Sequence, residues 1–255
     1  MRILVCVKRV PAPGAKIVLT SDGQDIDSSL LGFTISPHEE CAIEEAVQIA
    51  ERETGSVTVL TLGPPEAEEQ LRAAVSVGAD SIVLLPSAQP DWDPLPTAKA
   101  LAAAIQNLES ESGAPFDLIL FGNESADSGG YQVGIRVARH LKRPMVTGIK
   151  GIDLEEGSVS ARRETPGGWE VYRLPLPAVV GVKEGINLPR YPTLKGRMVA
   201  RKSSLTEMEP LVGSSGQSKV TLLSPPDAGT SVEILGESPE AAVRVADILE
   251  ELGLL

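Results

Sequence analysis

The chain predicts an α/β fold: a mostly parallel sheet with helices on both faces, antiparallel additions, and a C-terminal extended arm plus helix. Three observations support that prediction. Apolar runs of buried-strand length recur at residues 3–7, 57–62, 82–85 and 118–121. Segments with apolar residues at helical spacing alternate with them, which is the pattern of a parallel sheet covered on both sides. After Leu141 the pattern shifts to short strands and turns, which suits antiparallel strands added to the same sheet. The boundaries expected are an α/β domain over residues 1–204 and an arm with a helix over 205–255.

The first strand, 3–7, stops at the basic, proline-bearing stretch that begins Lys8-Arg9. Residues 17–26 read as a small hairpin turning at Asp22-Gly23. Ser36 can cap a helix, Pro37 suits its first position, and Glu39 completes a capping box. Ala42, Ile43, Ala46, Val47 and Ala50 then form an apolar stripe, with Glu40, Glu44 and Glu45 largely outside it. The strand at 57–62 ends at Gly63 and two prolines, a helix follows from Glu66 to about Val75, and another strand spans 82–85. An alanine-rich helix from Pro96 to about Leu108 precedes the strand at 118–121. Beyond Leu141, antiparallel-like strands are expected at 145–151, 159–164, 169–174 and 178–182. Residues 187–197 form a loop stiffened by Pro189 and Pro192 and bearing Tyr191 and Leu194. Residues 205–236 hold few regular signals and read as the arm. Ser238-Pro239 restarts a helix whose apolar face, Ala242, Val245, Ile248 and Leu249, needs a surface to rest on.

Composition narrows the function. The 255 residues suit one large domain or a domain with an appendage, and a net charge of −12 argues against nucleic acid as the main partner. With two cysteines, Cys6 and Cys41, a disulfide framework is not expected. No apolar run approaches the roughly 20 residues that span a bilayer, and residue 2 enters a strand at once, leaving no room for a leader. The expected setting is cytoplasmic, with no direct membrane insertion.

Parallel sheets of this kind bind ligands outside the carboxyl ends of their strands. The loops after Val7, Leu62 and Phe121 fall on that edge, together with the capped start at Ser36. After Phe121 the chain passes through Gly122, Asn123, Glu124, Ser125 and Ala126 to Asp127 and Ser128. Those last two are good N-caps for a helix expected to begin near Gly129. Backbone N–H groups at Gly129 and Gly130 would favour an anion there, and without a Cβ a phosphate could come close. An ordinary strand–loop–helix joint is the alternative. The chain has no G-x-G-x-x-G, no P-loop and no nucleophile elbow, and His38 and His140 lie outside metal-ligand spacing with the cysteines. Cys6 reads as a small core or pocket-lining residue. No catalytic residue and no metal site are expected.

Several motifs belong together. They are Lys8-Arg9-Val10, Pro37 and Glu40 ahead of Ala42, Val77-Gly78-Ala79-Asp80, Arg163-Glu164 with Gly167-Gly168, and Asn187-Leu188-Pro189-Arg190-Tyr191-Pro192-Thr193-Leu194. Jointly they resemble the small (beta) subunit of electron-transfer flavoproteins, over nearly the whole chain and less so after about residue 205. The resemblance implies a Rossmann-like, adenine-nucleotide-binding domain and an electron carrier rather than an enzyme with its own catalytic residues. It further implies a heterodimer with a large (alpha) subunit that holds most of the FAD, residues 205–255 docking on that partner. AMP would occupy this subunit's crevice, touching Cys6, Ser36, Pro37, His38, Glu39, Leu62, Gly63 and the run from Gly122 through Gly130 to Tyr131, Gln132 and Val133. Tyr131 is bulkier than the family's usual residue, and Gln132-Val133-Gly134 is similar to members that take a second FAD for electron bifurcation. A second FAD therefore stays open as the alternative, and a nucleotide-binding sensor with no redox role is a third reading.

Leu194, with Tyr191 beside it, holds the place of the family's anchor for flavin-dependent dehydrogenases, and a stiffened loop loses little entropy on docking. A loop packed on its own domain is the alternative. Glu164 matches a family position that steadies the FAD-bearing domain through a cationic partner; a solvated strand-end carboxylate is the other reading.

Overall fold

Strand β1 (Arg2–Val7) shows why the sheet is covered twice. Its Ile3, Val5 and Val7 join one apolar cluster and its Leu4 and Cys6 the other, following the two-residue period of a strand. This computed structural model describes residues 1–87, 92–211, 222–223, 233–236 and 238–255. They form two units, residues 1–17 with 27–220, and residues 18–26 with 221–255.

In the first unit β1 leads to a short antiparallel pair, β2 (Val10–Pro11) and β3 (Phe33–Thr34). Helices and strands then alternate: α1 (Pro37–Glu53), β4 (Ser56–Gly63), α2 (Glu68–Ser76), β5 (Ser81–Pro86), α3 (Pro94–Ser112), β6 (Leu118–Gly122) and α4 (Val133–Leu141). The remainder is β7 (Met145–Glu155), β8 (Ser158–Thr165), β9 (Gly168–Pro175), β10 (Ala178–Val182), α5 (Leu194–Lys202) and β11 (Leu205–Glu207). Nine strands make one sheet in the order β11-β5-β4-β1-β6-β10-β7-β8-β9. Neighbours are parallel except β7–β8 and β8–β9. Side chains of α1 and α2 fill one face, and those of α3 and α4 the other. The predicted fold class, parallel with antiparallel additions, is the observed one.

The structure departs from the expected elements in four places. β10 was expected among the antiparallel strands, yet it runs parallel between β6 and β7. All five of its residues are buried, which is the continuous apolar run of a strand covered on both faces. α4 starts at Val133 rather than near Gly129, because the preceding loop makes its own turn. There the Asp127 carboxylate accepts the Ser128 N–H at 2.7 Å and the Ser125 carbonyl accepts the Gly129 N–H at 3.1 Å. α5 occupies part of the expected 187–197 loop. Its Thr193 cap accepts the Gly196 N–H at 3.0 Å, and Arg72 of α2 donates to the Ala200 carbonyl. α5 lies so close to α2 that a Cβ on Gly196 would stand 2.1 Å from the Ser76 carbonyl oxygen. Finally, β11 joins the sheet edge beside β5 within the stretch read as an arm.

In the second unit a single bridge, Leu19 to Ile26, closes the turn at Asp22-Gly23, where Gly23 has φ 64°. α6 (Ala241–Glu251) buries none of its side chains. Residues 212–221 and 224–232 of the expected arm, with residue 237, lie outside the described residues. Among the described residues no helix is long and apolar enough to cross a membrane.

Candidate functional site

β1 has β4 on one side and β6 on the other, so the strand order reverses there. The crevice beyond such a switch point is where open α/β sheets hold their ligands. A cavity of ≈ 420 Å³ opens at this place, between Ser36, Pro37 and His38 at the start of α1 and Glu124, Ser125, Ala126, Asp127, Ser128 and Gly129 after β6.

The floor of this rim is tied by one carboxylate. Ser36 and Glu39 form the capping box the sequence predicts: the Ser36 hydroxyl accepts the Glu39 N–H at 3.2 Å and Glu39 Oε2 accepts the Ser36 N–H at 2.8 Å. The other carboxylate oxygen accepts the Lys8 N–H at 2.9 Å, so Glu39 joins the end of β1 to the start of α1. Gly122 is needed beside it, since a Cβ there would stand 2.6 Å from Glu39 Cγ. Burial pushes Glu39 up to about 7, against the opposing pull of the Ser36 and Lys8 hydrogen bonds.

That shift has a sign that can be measured. A carboxyl at about 7 when folded and near 4.5 when unfolded binds its proton more tightly in the folded chain. The stability it contributes is therefore complete below the unfolded value and is lost as pH rises through the folded one. The loss amounts to at most about 3 kcal/mol. Glu39→Gln should flatten the fall in urea midpoint between about pH 5 and about pH 8. Equal slopes in the two proteins would show that Glu39 does not titrate there.

Two contacts hold the rim of the cavity. Lys8 Nζ forms an ion pair with Asp127 Oδ2 at 2.5 Å, and His38 Nε2 forms a hydrogen bond with Glu124 Oε1 at 3.3 Å. His38 Nδ1 accepts the Glu184 N–H at 2.7 Å, which leaves the ring proton on Nε2, pointed at Glu124. Burial alone would raise Asp127, but the hydrogen bond and charge of Lys8 outweigh it and hold the carboxyl below its ordinary range. Both acids on the rim thus have a partner. The Ser125 and Ser128 hydroxyls face each other at 2.9 Å, and the space in front of Gly130 is open. Tyr131 takes a positive φ of 54°, and the hydrogen bond of its hydroxyl to Glu124 raises it above the usual tyrosine range.

The remaining predicted contacts lie outside the lining of this cavity, and Gln132 lines a separate one beside Leu95 and Arg136. Cys6 and Leu62 belong to the apolar cluster under α3 and α4, where burial pushes the Cys6 thiol well up. The Gly63 carbonyl accepts the Ser87 N–H, and Asn123 donates its N–H to Val182. The Gln132 side chain accepts from Arg136 at 2.8 Å, at the head of α4 where Val133 begins the helix. Lys8 was not among the predicted contacts, although it follows a buried strand directly and opens the Lys8-Arg9-Val10 motif. Among the described residues no group of three or more His, Cys, Asp or Glu could hold a metal ion.

Residues 28–211 match the electron transfer flavoprotein domain. The chain is 34% identical over 262 residues to the electron transfer flavoprotein subunit beta of Mycobacterium leprae, with 97% of both chains covered. It is 33% identical over 251 residues to the protein of that name from Syntrophomonas wolfei, covering 97% of this chain and 95% of the relative. With the Bacillus subtilis protein of that name it shares 35% identity over 209 residues, covering 82% and 79%. The chain belongs to the electron transfer flavoprotein beta-subunit family.

In this member of an electron-transport family, the segment ahead of α5 is fastened to α1. Asn187 Nδ2 donates to the Cys41 carbonyl and to Glu45 Oε2, both at 3.0 Å. Arg190 donates its backbone N–H to Glu44 at 3.1 Å, and its guanidinium reaches Glu44 at 2.9 Å and Glu51 at 2.7 Å. The sequence suggested Glu44 and Glu45 as outside the packed stripe of α1. Both are buried, because this distant segment meets them. Leu188, Tyr191 and Leu194 point away, 89%, 91% and 82% exposed, with Leu194 the first residue of α5. Glu164, at the end of β8, is exposed and paired with Lys150 at 2.6 Å, a bond that holds its carboxyl below the ordinary range.

Proposed function

We propose that the chain is the small subunit of a heterodimeric electron transfer flavoprotein that passes electrons from flavin-dependent dehydrogenases to an acceptor. A large (alpha) subunit holds most of the FAD, which supplies the redox chemistry. This chain holds an AMP and presents the docking segment. The observation that supports this best is the cavity at the switch point beside β1, in a chain of this family.

The residues around the cavity fit an adenylate. The open backbone at Gly130 and the hydroxyls of Ser125 and Ser128 suit a phosphate, and Lys8 supplies a cation beside them. Asp127 can accept from ribose hydroxyls. A volume of ≈ 420 Å³ lies toward the small end of the roughly 300–1,000 Å³ typical of ligand sites, which favours AMP over a second FAD. Leu194 and Tyr191 meet the dehydrogenase, and Glu164 steadies the FAD-bearing domain. α6 keeps Ala242 and Val245, three residues apart on one side of the helix, exposed, an apolar face suited to docking on the large subunit.

Releasing the bound nucleotides from the purified complex tests this reading. One FAD and one AMP per heterodimer are expected; two FAD would make the complex a bifurcating one. A solitary chain with nucleotide and no flavin-bearing partner would overturn the reading in favour of a sensor. A chain ended at residue 220 should lose the large subunit, and full co-purification would remove α6 from the interface.

A further inference from the structure

Helix α4 turns one face to the sheet and the other to a hollow. Val137 and Ala138, with Val133 and Leu141 beside them, pack into the apolar cluster under α3 and α4. Gln132, Ile135, Arg136, Arg139 and His140 recur at three- and four-residue spacing on the outer side. Together with Leu95 of α3 they line a second cavity, of ≈ 350 Å³. It shares no lining residue with the cavity beside β1.

This lining is cationic, in a protein of net charge −12. Neither Arg136 nor Arg139 has an ion pair among the described residues. Arg136 donates to Gln132 Oε1 at 2.8 Å, which leaves the amide N–H groups of Gln132 to donate elsewhere. The acids of α3, Glu109 and Glu111, stand near its far end, and Glu109 is taken by Arg143 at 2.7 Å. The start of α3 lends no backbone donor. Pro94 and Pro96 have no N–H, and the Leu95 N–H is capped by Asp93 at 2.8 Å. An anion in this hollow must therefore be held by side chains.

Cations in the last turn of a helix complement its dipole, which accounts for Arg139 and His140. The dipole accounts neither for Arg136, a turn earlier, nor for Ile135, 52% exposed in the same lining.

The donor count selects the ligand. Two guanidinium groups and an amide offer more N–H groups than the roughly four lone-pair sites of a carboxylate can take. A phosphate monoester brings three strong acceptor oxygens and close to two charges, and guanidinium forks match it well. Leu95 and Ile135 leave an apolar wall for the rest of the molecule. The volume, ≈ 350 Å³, is near the lower limit of the roughly 300–1,000 Å³ of ligand sites, so that molecule is small. We propose that this cavity binds a small phosphate monoester with an apolar body. Arg136, Arg139 and the Gln132 amide hold the phosphate, and Leu95 and Ile135 meet the body.

The test uses the intact heterodimer as purified, with its flavin and nucleotide in place, so that the cavity beside β1 is not the one being filled. Phenyl phosphate is the probe, and ligand-observed NMR follows its binding beside benzoate and inorganic phosphate. Phenyl phosphate should saturate, about tenfold or more tighter than either control. R136Q/R139Q should weaken it at least about tenfold while keeping the wild-type content of flavin and nucleotide. Ile135→Ala, at an exposed position, should keep the binding of inorganic phosphate and lose most of the preference for the phenyl ester.

No saturation in the wild type overturns the site, whether the hollow is empty of function or covered by the large subunit. Binding that R136Q/R139Q leaves unchanged places the probe elsewhere and also overturns it. Equal affinity for benzoate overturns the choice of phosphate.

Discussion

Arg190→Ala should destabilise the folded chain by about 2–4 kcal/mol, somewhat below the loss for a fully buried pair because the guanidinium is partly solvated. The reason is what remains behind. Glu44 is 4% exposed, and its carboxylate accepts both the backbone N–H and the guanidinium of Arg190. Without that side chain a buried charge loses its cation, and Glu51 loses its partner as well. Arg190→Lys should be intermediate, since an ammonium cannot hold two carboxylates in the fixed fork of a guanidinium. Urea midpoints report the loss, and amide exchange at residues 188–194 should quicken as the segment comes off α1. An unchanged midpoint would mean that Glu44 finds another partner or reaches water.

Leu194→Ala should slow reduction of the heterodimer flavin without releasing flavin or nucleotide. Leu194 is exposed on its own chain, so its removal opens no internal cavity. Alanine is also the better helix former at the start of α5. Any loss must then come from the docked state, where burying a leucine contributes about 1.5–3 kcal/mol. That corresponds to about a 10- to 150-fold fall in kcat/KM. Stopped-flow reduction by a reduced dehydrogenase measures it, and unchanged kinetics would remove Leu194 from the interface. Arg190→Ala and Leu194→Ala probe the same surface differently. The first loosens the mount and registers in stability; the second blunts the tip and registers only when a partner is present.

Much of the rim of the site was legible before any coordinates. Ser36, Pro37 and Glu39 announce the capping box because all its partners lie within four residues, and the box forms as read. The loop from Glu124 to Gly129 was placed at the strand ends, where the cavity lies. Its detailed shape was not legible. A helix start at Gly129 looked well capped, yet Asp127 spends one oxygen on Ser128 and the other on Lys8, which stands 119 residues away.

The sequence by itself determined the α/β class, the parallel core, the capped start of α1 and the family, since each rests on short-range patterns of apolar, capping and motif residues. Only the tertiary structure decided that β10 runs parallel in the middle of the sheet, that Glu44 is a buried anchor 146 residues from Arg190, and that α5 is a helix at all. Those features depend on contacts between stretches far apart in the chain. A carboxylate looks the same in sequence whether water or a distant guanidinium comes to meet it, and the close approach of Gly196 to Ser76 exists only once α2 and α5 are side by side.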